Sequence, residues 1–238
     1  MMKKSRLKYY IALIAAGIIL ILMSPAMNIK TVEVEGNSKF TKEDILTMAK
    51  LKTENNIFLF SKANAIESMM VNPYIKNVEI NKDFLNKTIY INVEERKVSG
   101  YVKFDNINYL YVDKDGRVLE VNSFFTERHP IVEGLEFTSF VVGEIIEVEN
   151  SEAFRTMVNL SHLFEKFEIA NDIISIDVFD KDNIHFYYGK IDIILGNSKD
   201  LDLKVRTVRA IIPEIEDMKD IGGYLYVDDS RYPRLKLR

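Results

Sequence analysis

The sequence predicts an α+β fold: a single transmembrane helix, then two further domains, the second an α+β domain built on an open, mainly antiparallel sheet. Three observations carry this reading. A basic start leads into a long uncharged apolar run. Short alternating strands and two short helices then follow in the order strand, helix, helix, strand, strand. Beyond residue 98 the pattern becomes strands and tight turns around two longer amphipathic helices.

Residues 1–8 hold Lys3, Lys4, Arg6 and Lys8 and no acid, and no residue from Tyr9 to Ile29 is charged. An apolar helix needs about 20 residues to match a hydrocarbon core of ~30 Å. The expectation is therefore a basic tail over 1–8 and a membrane span over 9–27. Tyr9 and Tyr10 stand where an interfacial aromatic belt lies, and Ile11 to Leu22 form the lipid-facing body. The charge asymmetry places the N-terminus in the cytoplasm and the bulk of the chain outside it. A cleaved signal peptide ending near Ser24-Pro25-Ala26 is the rival reading, and it exports the same remainder.

That remainder carries 28 basic and 36 acidic side chains and has no cysteine. An acidic body lacks the electrostatic footprint of a nucleic-acid binder. Without cysteine there is neither a disulfide framework nor a thiolate metal site.

In the domain expected over 29–97, Val32 and Val34 alternate as a strand. Thr41 to Asp44 read as a capping box before the stripe Ile45, Leu46 and Ala49. A second helix over 61–71 stops at Asn72-Pro73, and strands over 74–80 and 88–94 form a hairpin. In the domain expected over 98–238, Asp113-Lys114-Asp115-Gly116 is a tight turn. A helix from Asn150 or Ser151 carries Phe154, Met157, Leu160, Leu163 and Phe164. Three alternating strands occupy 173–195, and a helix from Leu201 ends or kinks near Pro213. Strands over 224–227 and 234–237 close the chain.

A search for chemistry finds no reacting constellation. His129, His162 and His185 are scattered at spacings that make no ligand set, and Glu120 comes too early to close a calcium loop begun at Asp113. No glycine-rich phosphate loop occurs, and Ser123, Ser139 and Ser151 lack a nucleophile-elbow context. Phe124-Phe125 and Tyr187-Tyr188 read as core or half-buried strand positions before binding platforms. No catalytic, cofactor-binding or metal residue is assigned, and neither a cofactor nor a small-molecule substrate is expected.

The order of parts resembles the FtsQ/DivIB family of bacterial cell-division proteins over nearly the whole chain. Ile29 to Asn37 resembles the first strand of the family's POTRA domain, and Asn72 to Ile80 the step after its second helix. Val93-Glu94-Glu95-Arg96-Lys97-Val98 resembles the closing strand. Tyr111 to Leu119 and His129 to Gly134 resemble two turns of the family's second, β-rich domain. The late Asp-Leu-Arg strand of the family corresponds here only loosely to Tyr224 to Asp228.

The resemblance implies a non-enzymatic scaffold at the division septum, anchored in the cell membrane. It implies FtsL-like and DivIC/FtsB-like partners, and a C-terminal strand edge that pairs with one of them. On that reading the partner-binding residues are Tyr224, Tyr226, Arg234, Leu235, Lys236 and Leu237. Leu235 and Leu237 are expected to face a core, with Arg234, Lys236 and Arg238 turned outward. The alternatives are another POTRA-bearing envelope export or assembly factor, and an anchored cell-wall enzyme.

Overall fold

A computed structural model describes residues 2–125 and 127–237, with side chains from residue 8 onward. The basic tail expected over 1–8 thus lies outside the residues with described side chains, Lys8 excepted, and Arg238 lies outside the described residues altogether. The chain packs as two compact units, Met1–Arg96 and Lys97–Arg238.

The first unit opens with helix α1 (Met2–Leu22). Here the sequence expectation fails. Ser24 is extended and Pro25 starts a short 3-10 turn that ends at Met27, because a proline holds its predecessor out of the helical region. From Tyr9 the apolar run is helical only to Leu22, about 21 Å at ~1.5 Å per residue, against the ~30 Å of a hydrocarbon core. Among the described residues no helix is long and apolar enough to cross a membrane. This overturns the transmembrane helix expected over 9–27, and the anchoring role given to Tyr9, Tyr10, Ile11 and Leu22 goes with it.

Strand β1 (Thr31–Glu35), helices α2 (Lys42–Met48) and α3 (Lys62–Met70), and strands β2 (Ile75–Asp83) and β3 (Thr88–Glu95) complete this unit. Thr41 and Asp44 form a reciprocal capping box that starts α2, and the Ser61 hydroxyl accepts from the Asn64 N–H to start α3. The sheet runs β1-β3-β2, with β3 parallel to β1 and antiparallel to β2. Val32, Ile80, Ile89, Ile91 and Val93 on one face of this sheet bury against Ile45, Ala65 and Met69 of the two helices. This apolar layer is the unit's main stabilising term.

The second unit is α+β with a large mixed sheet. Its strands are β4 (Gly100–Lys103), β5 (Tyr109–Val112), β6 (Val118–Asn122), β7 (Ile131–Glu133), β8 (Ile173–Asp177), β9 (Ile184–Tyr188), β10 (Ile191–Gly196), β11 (Gly223–Tyr226) and β12 (Arg234–Leu237). They lie in the order β12-β11-β10-β9-β8-β7-β4-β5-β6. The sheet is mixed, with five antiparallel strand pairs and three parallel ones. Helix α4 (Ser151–Lys166) carries the chain from β7 over to a parallel β8, and α5 (Leu201–Ile215) from β10 to a parallel β11. A helical crossover returns the chain in the same direction.

Asn150 caps α4 by accepting from the N–H groups of Glu152 and Ala153. Helix α5 runs past Pro213 to Ile215 rather than ending there. Met157, Leu160, Phe164, Val205, Val208 and Ile212 pack against Ile176, Phe186, Ile193 and Leu225. The opposite face of the sheet therefore carries the half-buried polar and aromatic residues of the alternating strands.

Candidate partner-binding edge

Nine strands in one open sheet leave two edges, and the last strand of the chain forms one of them. β12 pairs antiparallel with β11, setting Gly223 against Leu237, Tyr224 against Lys236, Leu225 against Leu235 and Tyr226 against Arg234. Among the described residues no strand lies on its other side.

The direction of each backbone group follows from the neighbouring pair. Gly223 and Val227 turn their N–H groups toward β10, reaching the carbonyls of Lys190 at 3.4 Å and Ile194 at 2.8 Å. Alternation along a strand then turns Tyr224 and Tyr226 toward β12, and across the ladder Arg234 and Lys236 toward β11. Leu235 and Leu237 are left to direct their N–H and C=O groups at the open edge. A strand laid there would be held by these backbone groups.

The side chains sort by the same period of two. Leu225 is fully buried under the helices, and its cross-strand neighbour Leu235 shares that face. Leu235 and Leu237 are nevertheless 39% and 43% exposed. This corrects the expectation that they face a core, because the core ends under β11 and, among the described residues, none buries the helix-side face of β12. On the other face stand Tyr224, Tyr226, Arg234 and Lys236. The two tyrosine rings lie 6.3 Å apart, and the Arg234 guanidinium sits 5.3 Å from the Tyr226 ring while reaching Asp228 at 2.8 Å. A cation over an aromatic face fixes both side chains. The structure thus groups all six sequence-predicted residues on one two-stranded corner: one strip of edge backbone, an apolar face and an aromatic, basic face.

Sequence reasoning passed over Gly223. A Cβ placed there would lie 2.6 Å from the Lys236 carbonyl oxygen, so only glycine lets β12 close onto this end of β11. The Gly222-Gly223 pair just before a strand was the available signal. Also missed was the row beside the tyrosines. Asp192 stands next to Tyr224 in the register, and His185 lies between Asp192 at 2.7 Å and Asp177 at 3.5 Å. Burial, then Asp192, Asp177 and Glu133, push the Tyr187 hydroxyl above its usual pKa, so it stays a neutral hydrogen-bonding group.

The groups weighed for catalysis stay apart. His129 pairs with Glu127 at 3.1 Å, and His162 with Asp115 at 3.2 Å. Asp113 accepts from the N–H groups of Asp115 and Arg117, which makes its loop a hairpin turn. Ser123 donates to the Asn108 side chain. Phe125 packs on Tyr101 and Tyr109, Phe124 is exposed, and Tyr188 is buried. A cleft of about 490 Å³ bounded by Tyr101, Phe125, His129, Tyr188 and Lys219 shows no serine, threonine or cysteine in its described lining. Among the described residues no group of three His, Cys, Asp or Glu is placed to hold a metal ion.

Comparison with known proteins gives this architecture its place. Residues 27–96 match the POTRA domain, FtsQ-type, so the first unit is of the class found in FtsQ-like division proteins. The chain is 31% identical over 227 residues to the cell division protein DivIB of Clostridium tetani, covering 94% of this chain and 85% of that one. It is 32% identical over 238 residues to DivIB of Clostridium botulinum strain Hall, covering 97% and 91%. Cell division protein FtsQ of Syntrophotalea carbinolica is 21% identical over 222 residues, 92% of this chain and 77% of its own length. The chain belongs to the DivIB/FtsQ family of cell division proteins.

Proposed function

We propose that this protein is a non-enzymatic scaffold of the bacterial divisome. It acts at the septum by binding FtsL-like and DivIC/FtsB-like partners through strand addition at β12. The observation that carries this reading is the alternation at the edge: Leu235 and Leu237 point their backbone groups away from the sheet, and no described strand takes them up. A partner segment supplies the missing ladder, its apolar side chains meet Leu235 and Leu237, and its acidic or aromatic ones meet Arg234, Lys236 and the two tyrosines. Tyrosine and arginine contribute disproportionately to binding in such patches.

The test places photoreactive amino acids one at a time along 224–237, and at exposed positions of the first unit, in dividing cells. Crosslinks to the two small partners that peak at 235 and 237, and a fluorescent fusion at midcell, are expected. Equal labelling along the whole segment, or partners captured only from probes in the first unit, would remove β12 from the interface.

A further inference from the structure

Three loops of the first unit meet at one end: residues 24–30, residues 51–60, and the β2–β3 turn over 83–87. The chain between α1 and β1 is stitched to the others. Ile57 donates its N–H to the Met27 carbonyl, and Lys87 Nζ donates to the Ala26 carbonyl. The Asn56 amide donates to the carbonyls of Leu22 and Ser24, holding the last turn of α1.

From this end project four large apolar side chains, Phe58, Leu59, Phe84 and Leu85. Their exposures are 39, 62, 47 and 93%. They are not loose. Phe58 and Phe84 stack with ring centroids 4.8 Å apart. Lys82 Nζ ties the 51–60 loop down through the carbonyls of Ile57 and Phe60, and it sits over the Phe60 and Phe84 rings. Asp83 accepts from the N–H groups of Leu85 and Asn86, which fixes the turn that presents Leu85. Ordering four apolar groups at the surface is unfavourable in water.

We propose that this tip inserts into an anionic lipid surface. The occupant is chosen by charge. Lys30, Lys52, Lys62, Lys82 and Lys87 lie on the segments that form or flank the tip, against Glu54 and Asp83. The outer face of the same sheet is acidic instead, with Glu33, Glu35, Glu79 and Glu94 against Lys76, which pairs with Glu94. Apolar tips ringed by lysines match the boundary between acyl chains and negative headgroups, where lysine stems lie along the apolar layer and their charges reach outward.

The chain lacks cysteine, so single probes can be introduced cleanly. The full-length protein is prepared as Leu85→Cys and Leu59→Cys, with Asn92→Cys on the acidic face as control. Each is labelled with a polarity-sensitive fluorophore and mixed with vesicles of phosphatidylcholine with or without phosphatidylglycerol. With anionic vesicles, probes at 85 and 59 are expected to shift to the blue. They should also lose iodide quenching by about threefold or more, while the probe at 92 is unchanged. The double variant Lys52→Glu/Lys62→Glu should need several-fold more anionic lipid for the same shift. Reading by position separates the tip from α1, and circular dichroism confirms that each variant is folded. Equal iodide access at 85 with and without vesicles overturns the proposal, as does equal protection at 85 and 92. Protection at 85 that requires a second protein assigns the tip to that protein instead.

Discussion

The two edges of the nine-stranded sheet are built differently. At β6 the chain folds back on itself. Val118 donates its N–H to the Glu144 carbonyl at 2.9 Å, Gly143 donates to the Val118 carbonyl at 2.7 Å, and Ile146 donates to the Gly116 carbonyl at 3.0 Å. Arg117 clamps this strap through the Gly143 carbonyl, and a register shift bends the β5–β6 pair beside it. These are the usual ways in which a protein stops its sheet from pairing with another chain. β12 has neither strap nor bulge, and all four of its residues are exposed. The strap covers the start of β6, whereas no described segment straps β12. The contrast favours β12 over β6 as the edge proposed for partner binding.

The largest effect is expected where β12 is lost altogether. In Gly223→Val the new side chain meets the backbone of Lys236 and Leu237, which drives the strand off. Partner affinity should fall about a hundredfold, or ~2.7 kcal/mol, and the amides of Arg234 and Lys236 should lose their exchange protection. Retained affinity would mean that β12 is not the template.

Next in size is Leu235→Pro, which deletes one outward N–H while the ladder to β11 keeps its pairs at Arg234 and Lys236. A loss of about tenfold, from one interfacial hydrogen bond of roughly 1–1.5 kcal/mol, is expected by titration calorimetry, with unchanged thermal stability. A larger fall in stability than in affinity would show that β12 serves its own sheet first.

The opposite edge gives a smaller effect of opposite sense. Gly143 sits at φ 94° and donates to Val118. Gly143→Pro can adopt neither that angle nor that bond. The strap should loosen, and sedimentation should detect a concentration-dependent dimer beyond anything seen in the parent chain. An unchanged sedimentation profile would mean that the strap does not guard β6.

The smallest expected effect lies behind the open edge. Lys204 is buried on α5 and donates to the Asn197 carbonyl at 2.9 Å. Burial lowers its pKa below 10.5, and Asp200 and Asp228, the latter also Arg234's partner, act in the other direction. The folded state therefore holds this proton less tightly than the unfolded chain. Stability should rise as pH climbs from the lowered pKa toward 10.5, the range in which the unfolded chain still binds the proton. Urea titrations at several alkaline pH values should show this rise in the parent chain and a flatter profile in Lys204→Met.

Local chemistry made much of this fold legible in the sequence. The Thr41–Asp44 box, the Asn72-Pro73 stop, the Asp113 turn and the alternation over 184–195 act within a few residues, and each forms where its pattern places it. Features set by distant contacts were hidden. The parallel pairing of β10 with β11 depends on where α5 crosses, and the exposure of Leu235 depends on how far the helical layer reaches. A pattern of alternating leucines cannot distinguish a strand beneath a helix from one just beyond it. The membrane reading failed for a related reason. Mean apolarity over 9–29 ignores Ser24-Pro25, where the helix has already ended. For the site, residue types marked the corner, but the outward direction of the Leu235 and Leu237 backbone followed only from the β10–β11–β12 register.

Amide-resolved hydrogen exchange of β12 tests the central claim most directly. In the free protein Arg234 and Lys236 should exchange slowly and Leu235 and Leu237 fast. Saturating FtsL-like and DivIC-like segments should then slow Leu235 and Leu237 by about tenfold or more. Unchanged exchange at both leucines in a saturated complex would contradict strand addition at this edge.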